Sequence, residues 1–562
     1  MPTLHHRPAP PAAIQHLTAA GYSTALARIF AARGVTEEAE LETGLAGLLP
    51  FESLKNAREM AVLLAGAIAA GEKILIVADY DADGATACTL AMRGLAALGA
   101  TVAFLVPNRF EDGYGLTPSI VQQAMRQRPD WLLTVDNGIA SVAGVAEANR
   151  LGLRVLVTDH HLPGDTLPDA ACIVNPNQPG CPFPSKNLAG VGVMFYVLLA
   201  LRAELRQRGA FAAGGEPKLA DWLDLVALGT VADVVKLDRN NRILVQQGLA
   251  RMRAGRACPG IQALLAVARK APDKLVAQDL GFTVGPRLNA AGRLDDMSLG
   301  IACLLTDDVE QATRIATQLD ALNRERRAIE SDMQDSALAS LQQVEVAERY
   351  SLALFQDDWH QGVIGILASR LKERYHRPVI AFAASGEELK GSGRSINGLH
   401  LRDALDLVSK RHPTLIRKFG GHAAAAGLTI AAVDFAAFVA AFEQVCQELL
   451  NPADLQARID SDGALDNFSL DFAEQLAQQV WGQGFPEPLF DDDFRVLQQR
   501  VVGEKHLKLR LQRAGVVLDG ILFGDPSPLP EQIHAAYSLS INDYNGQRSV
   551  QLLIRHVDKI TP

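Results

Sequence analysis

Short apolar runs separated by longer amphipathic stretches dominate the chain from Lys73 to about residue 175. KILIVAD at Lys73, TVAFLV at Thr101, WLLTVD at Trp131, LRVLVTD at Leu153 and ACIVN at Ala171 are rich in aliphatic and β-branched residues, as buried strands are, with helix-length segments between them. This alternation predicts an α/β domain with a parallel sheet covered on both faces. Three of the strands end in an acid, at Asp79, Asp136 and Asp159. Parallel strands bring their carboxyl ends to one edge, which is where ligands bind in open α/β sheets. The first strand ends most densely: Asp79, Asp81 and Asp83 alternate in DYDADG before Gly84 turns the chain into an Ala-rich helix. Carboxylates so crowded repel one another unless a cation holds them, which points to a hard divalent metal. A solvated acidic turn is the plainer alternative.

Further along, TDHH places His160 and His161 directly after Asp159, and neutral imidazole suits a transition metal. Asp233 ends an apolar helical run that starts at Leu223. From Leu305 to about Val344 apolar residues recur at three- and four-residue spacing, predicting one helix about 60 Å long, started by Asp307 with Glu310 three residues on. A second α/β unit follows, with two glycine-rich motifs, GSGRS at Gly391 and FGGHAAAAG at Phe419. Both are expected as phosphate-binding loops, with Ser392, Arg394 and His422 as side-chain donors beside Gly420 and Gly421. Plain turns are the alternative. The tail alternates short β-rich runs with turns, including the hairpin signal Asn545-Gly546, and suggests a five-stranded barrel of the OB type.

Composition narrows the class. A chain of 562 residues needs three or four units, and 48% hydrophobic with 21% charged residues is ordinary for a folded protein. The first thirty residues lack a signal pattern, and the near-apolar run Leu188 to Leu201 is too short to span a bilayer, so a cytoplasmic location is expected. The six cysteines show no metal-ligand spacing and read as reduced thiols. His5 and His6, without a partner nearby in sequence, read as solvated tail residues in a Pro- and Ala-rich arm. The formal net charge is −10, yet Arg370 to His422 holds eleven basic against five acidic residues, and Arg495 to Arg513 six against one. Two basic segments in an acidic protein suit a polyanion that touches more than one domain.

DYDADG, VDNG, TDHH, GTVADVV, GPRLNAAGR and GGHAAAAG, in this order, resemble the DHH/DHHA1 phosphoesterase superfamily, and within it the branch of bacterial single-strand exonucleases. The resemblance runs from about residue 50 to 450, and the barrel extends it. It implies an arm over residues 1–50, a DHH catalytic domain over 51–300, a long connecting helix over 301–347, a smaller DHHA1 domain over 348–450 and an OB-type barrel over 455–562. It also implies two Mn²⁺ or Mg²⁺ ions and 5′-to-3′ degradation of single-stranded DNA in repair and recombination. By the same resemblance Asp81 matches a ligand of one ion and Asp83 of the other, Asp136 bridges them, and His160 and Asp233 lie on the Asp83 side. His161 matches a phosphate contact and Asp159 the carboxylate that orients the histidine pair. Val77 stands where many relatives carry a histidine, which leaves Asp79 as the replacement ligand. Arg287 and Asn289 of GPRLN match substrate contacts near the scissile bond, and Arg109, Ser392 and Arg394 match contacts to the 5′ end. A single-strand-binding protein and a helicase are the implied partners of a monomer. The other readings are a phosphodiesterase of short RNA or cyclic dinucleotides, and a non-catalytic repair scaffold.

Overall fold

The computed structural model describes residues 2–109, 113–342, 345–544 and 546–559. In chain order the strands are β1 (Thr3–His6), β2 (Lys73–Ala78), β3 (Thr101–Leu105), β4 (Trp131–Val135), β5 (Arg154–Thr158) and β6 (Cys172–Val174). They continue with β7 (Leu352–Phe355), β8 (Val379–Ser385), β9 (Glu388–Arg394), β10 (Lys418–Gly421), β11 (Ala425–Ala431) and β12 (Arg458–Ser461). The last five are β13 (Phe490–Val502), β14 (His506–Arg513), β15 (Val516–Phe523), β16 (Gln532–Tyr544) and β17 (Gln547–Lys559). The chain divides into a larger unit, residues 6–320 with 460–562, and a smaller one, residues 1–5 with 321–459.

In the larger unit the sheet order is β3-β2-β4-β5-β6, and all its pairs are parallel. Leu75, Val77, Leu132, Val155 and Val157 form one face and pack on Ile120, Val121, Val145 and Ala148 from the helices Pro118–Met125 and Val142–Arg150. Alternate residues such as Ile74 and Ile76 are equally buried on the other face, which accounts for the unbroken apolar runs. The chain leaves β2 in one direction to form β3 and returns to the other side for β4. The switch point of the sheet therefore lies between β2 and β4, the strands that end at Asp79 and Asp136.

β13 to β17 close a barrel in the order β13-β14-β15-β17-β16, as the alternating tail predicts. Phe490, Phe494, Leu509, Leu511, Tyr537 and Ile554 fill it. Asn545 lies outside the described residues, and the strands on either side of it pair at Tyr544 and Gln547. The segment leading into the barrel is tied to the rest of the larger unit. Leu237 N–H donates to Gln483 O at 2.7 Å, and Phe30 stacks on Trp481 with ring centroids 6.1 Å apart. The Arg33 fork grips Asp462 at 2.8 and 2.9 Å.

Several expectations change here. The N-terminal arm begins with a strand, β1, that pairs with β12. Its histidines are exposed, as expected of solvated residues, but are not solitary: His5 Nδ1 lies 2.6 Å from Arg458 Nη2, and His6 Nε2 lies 3.2 Å from an Asp491 oxygen. These partners are more than 450 residues away, so no local pattern points to them. The long helix runs Val309–Leu341, 33 residues and about 50 Å. Leu305 instead ends the preceding helix Ser298–Leu305, and Val344 lies outside the described residues. The cap is Asp308, the residue before Val309, whose carboxylate accepts from the N–H groups of Glu310 and Gln311, while Asp307 lies one residue outside it and pairs with Arg93 at 2.8 Å.

The smaller unit is built on a sheet ordered β10-β11-β9-β8-β7, in which β7 and β8 pair in parallel and the other neighbours are antiparallel. Here GSGRS is no loop: it forms the end of β9, paired on both sides. A Cβ on Gly391 would sit 2.6 Å from the Phe382 ring and one on Gly393 2.8 Å from Leu401, so these glycines make room for core side chains. FGGHAAAAG is likewise β10, a turn and β11; Gly421, at φ 143° and facing Ala425 O, is the position held to glycine by the backbone.

Candidate metal centre

The acids gather where the switch point places them. Asp79 follows β2, and its N–H donates to Val135 O at 3.3 Å; Asn137 Nδ2 ties the same two strand ends by donating to Val77 O and Val135 O, both at 3.0 Å. Asp136 follows β4 in the left-handed region, φ 63°, which Asp tolerates better than most residues. Asp81 caps the helix Ala82–Ala97, accepting from the N–H groups of Asp83 and Gly84 at 2.9 and 3.0 Å. Gly84 is required there, since a Cβ would lie 2.4 Å from Asp79 O.

Asp83 points into the protein and accepts from Gly190 N–H at 2.6 Å and Val191 N–H at 3.0 Å, the first amides of the helix Gly190–Gln207. A helix N-terminus stabilises such a buried carboxylate. Close packing then dictates glycine at two contacts. A Cβ on Gly190 would lie 2.5 Å from Asp136 Oδ1, and one on Gly229 2.8 Å from Asp83 Oδ1. Asp233 stands at the end of the helix Leu223–Ala232.

The two histidines differ in state. His160 Nε2 lies 3.1 Å from Asp136, 3.5 Å from Asp233 and 3.9 Å from Asp83. Burial, aided by the charge of His161, pushes its pKa down to about 4 and keeps the ring neutral. For His161 burial opposes the charged form, but the 2.8 Å hydrogen bond of Nδ1 to Asp159 and the charge of Asp159 outweigh it. They push its pKa up to about 9. Asp159 in turn accepts from the N–H groups of Ile139, His160 and His161. Burial would raise its pKa, and these contacts together with the histidine charges hold it below the usual range.

Two sets of ligand atoms each fit around one cation, Asp83 with His160 and Asp233, and Asp79 with Asp81 and Asp136. Asp136 also groups with His160 and His161, so it faces both sets. The electrostatics fit a site for cations. Burial, then repulsion from Asp81, raises Asp79 to about 8 and Asp83 to about 7. Asp136 and Asp233 rise well above the carboxylate range, through burial and then the charge of Asp83. Asp136 Oδ1 and His160 Nε2 are buried without a hydrogen-bond partner although they face each other. With a neutral His160, lone pair meets lone pair, which a divalent cation between them would relieve.

The residues expected to hold substrate are placed as follows. Asn289 Oδ1 accepts from Ala82 N–H at 2.8 Å, beside the acidic turn. Arg287 is already committed to Asp320 at 2.8 and 2.9 Å and to Thr283 O, a pairing that sequence spacing could not show. Arg109 lies over the Tyr80 ring at 4.3 Å; Glu111 and Asp112, its acidic neighbours in sequence, lie outside the described residues. In the smaller unit Arg394 donates to Ser392 Oγ at 3.3 Å and Gly393 O at 2.7 Å, and Gly365 packs against both side chains. His422 donates its N–H to Ala425 O within the β10–β11 turn. Tyr114 was not expected. Its hydroxyl lies 3.1 Å from His161 Nε2 and its ring packs edge-on to Tyr80, and the only sequence signal was an aromatic in a glycine-flanked loop.

This fold and centre define a metal-dependent phosphoesterase of the DHH class. Models of the DHH family N-terminal domain, the DHHA1 domain and the RecJ OB domain match residues 73–230, 345–448 and 459–556. Proteins named single-stranded-DNA-specific exonuclease RecJ from Salmonella typhimurium and Escherichia coli are 52% and 51% identical to this chain, over 94% and 95% of it and 95% of each relative. A crystal structure of RecJ from Thermus thermophilus in complex with Mn²⁺ matches with a TM-score of 0.84 at 32% identity, covering 100% of this chain and 79% of that one. Its complex with Mg²⁺ matches with a TM-score of 0.78 at 30% identity, covering 100% and 78%. The chain belongs to the RecJ family of single-stranded-DNA-specific exonucleases. Among its described residues no helix is long and apolar enough to cross a membrane.

Proposed function

We propose that this protein hydrolyses single-stranded DNA from its 5′ end, one nucleotide at a time, at a centre for two Mn²⁺ or Mg²⁺ ions. The observation that carries this reading is the pair of ligand sets that Asp136 faces together. Asp79, Asp81 and Asp136 would hold one ion and Asp83, Asp136, His160 and Asp233 the other, and the ions would supply Lewis acidity and a nucleophile at neutral pH. The chain's own groups do the rest. The His161 imidazolium, fixed through Nδ1–H by Asp159, would offer its Nε2–H, which here meets the Tyr114 hydroxyl, as a charged donor to the phosphate being cut. In the barrel Leu507, Leu509 and Leu511 turn inward, leaving Lys508 and Arg510 outward for the strand's backbone. Repair and recombination, a cytoplasmic location, a monomeric state, and a single-strand-binding protein and a helicase as partners complete the reading.

The test uses strands labelled at the 5′ or 3′ end, an equivalent RNA and a cyclic dinucleotide, each with Mn²⁺, Mg²⁺ or EDTA. Release of labelled mononucleotide from the 5′ end alone, abolished by EDTA, is the expected result. Preference for the dinucleotide, or metal-independent cleavage, would overturn the reading.

Polarity needs recognition of an end, and a terminal phosphate carries more charge than an internal one. The candidates are Arg109 in the larger unit and Arg394 with Ser392 in the smaller. Arg394→Ala should lower activity at least tenfold more on 5′-phosphorylated than on 5′-hydroxyl strands, and Arg109→Ala should do likewise, a tenfold difference being about 1.4 kcal/mol. Equal losses on both substrates would place end recognition elsewhere. Gly190→Ala should cut activity on the order of 100-fold by displacing Asp136, with a higher Mn²⁺ concentration at half-maximal rate. An unchanged metal titration would show that the cluster accommodates the added methyl group.

A further inference from the structure

Asp233 reaches the centre differently from the acids of the β2 turn. The carboxylates of Asp79, Asp81 and Asp83 are fixed by backbone donors, the N–H groups of Tyr80, of Asp83 and Gly84, and of Gly190 and Val191. Asp233 follows the helix Leu223–Ala232 and meets His160 at 3.5 Å, so its aim is set by the course of its own backbone. The next residue is strained. Val234 stands at φ 61°, in the left-handed region where a β-branched residue is an outlier and glycine is the usual residue to end a helix. Such a conformation persists only when the surroundings over-determine it.

The surroundings that do so belong to the segment leading into the barrel. Leu237, three residues beyond Val234, is gripped in three ways. Its N–H donates to Gln483 O at 2.7 Å, its C=O accepts from Arg242 Nη1 at 3.1 Å, and a Cβ on Gly482 would lie 2.6 Å from its Cδ1. Lys236 packs on Gly484, where a Cβ would lie 3.2 Å from its own, and its C=O accepts from Asn241 Nδ2 at 2.9 Å. Gly482 and Phe485 close a turn, each N–H donating to the other's carbonyl, and Gly484 within it stands at φ 73°. That turn is anchored in its own right. Phe485 stacks on Trp481 with ring centroids 5.2 Å apart, Arg242 lies 4.2 Å from the Phe485 ring, and Arg33 Nε donates to Pro486 O at 2.7 Å.

Between Leu237 and Asp233 stand only Val234, Val235 and Lys236, too short a stretch to absorb a shift of Leu237 without turning the end of the helix. We propose that the turn Gly482–Phe485 is a positioning element of the metal centre: by holding Lys236 and Leu237 it keeps Val234 in its strained conformation and aims Asp233 at its ion. The inference rests on the assignment of Asp233 as a metal ligand above. It makes the chain leading into the barrel a contributor to ion binding.

The experiment uses the full chain and measures Mn²⁺ binding by calorimetry without DNA. Gly482→Ala, which pushes on Leu237, should weaken one of the two Mn²⁺ sites about tenfold, within the range for groups that orient metal ligands, and leave the other unchanged. The size swap Gly482→Ala/Leu237→Val, which withdraws Cδ1 from the added methyl group, should restore the weakened site. At saturating Mn²⁺ the KM for a single strand should stay within about twofold of wild type, because the loss is in ion binding. Unchanged Mn²⁺ binding in Gly482→Ala, an equal loss at both sites, or a loss that the double variant keeps would each overturn the proposal. If melting in EDTA shows that Gly482→Ala does not fold, Leu237→Ala leaves the turn intact and removes the side chain that it holds; wild-type Mn²⁺ affinity in that variant would overturn the proposal equally. A wild type that bound no Mn²⁺ would instead sink the metal-centre reading itself.

Discussion

Asp136→Ala should abolish cleavage while leaving single-strand binding in EDTA within a few-fold of wild type. Asp136 is the carboxylate that faces both ligand sets, and among the described residues no other acid takes that position. A second readout separates metal loss from misfolding. In wild type, Mn²⁺ at 100 times its dissociation constant should stabilise the fold by about 2.7 kcal/mol. The variant should lose most of that gain. In EDTA it should melt close to wild type, because removing a buried carboxylate that its neighbours repel offsets the cost of placing Ala at φ 63°, roughly 1 to 2 kcal/mol. Activity above a tenth of wild type would sink the shared role of Asp136.

Asp462→Ala should be the most destabilising single change outside the centre, costing about 3 to 5 kcal/mol. The Arg33 and Asp462 side chains are 1% and 0% exposed, and Asp462 also accepts from Leu489 N–H, so removing the carboxylate strands a buried cation and an amide. The pair joins the N-terminal helices to the segment leading into the barrel, where Phe30, Trp481 and Phe485 stack and Arg242 lies 4.2 Å from the Phe485 ring. Equilibrium urea unfolding measures the loss. The double variant Arg33→Met/Asp462→Leu should recover most of it, because apolar replacement of both partners leaves no unpaired charge. A single-variant loss under about 1 kcal/mol would show that water reaches Arg33.

The five strands of the catalytic sheet and their terminal acids were legible in the sequence, because burial on both faces writes itself as an apolar run and a parallel sheet sends every carboxyl end to one edge. Asp79, Asp136, Asp159, His160 and His161 could therefore be placed together from the chain's own pattern, and the closed barrel could be read from its short alternating strands. The divided character of the site could not be read from local pattern. That Asp83 is held by the Gly190 and Val191 amides, and that His160 is neutral while His161 is charged, depends on groups brought together from distant parts of the chain.

The same limit explains the misreadings. Glycine-rich GSGRS looks like a loop because glycine is free to turn, but in β9 its glycines answer to Phe382 and Leu401, whose positions only the folded sheet defines. The helix begins one residue later than its acidic start suggests, so Asp308 caps it and Asp307 meets Arg93; the pairing of Arg287 with Asp320 was likewise beyond any local pattern. Secondary structure follows short-range sterics and periodicity, which one segment carries by itself. The partner of a charge is whichever opposite charge the packed core leaves within reach, and that is decided only when the tertiary structure forms.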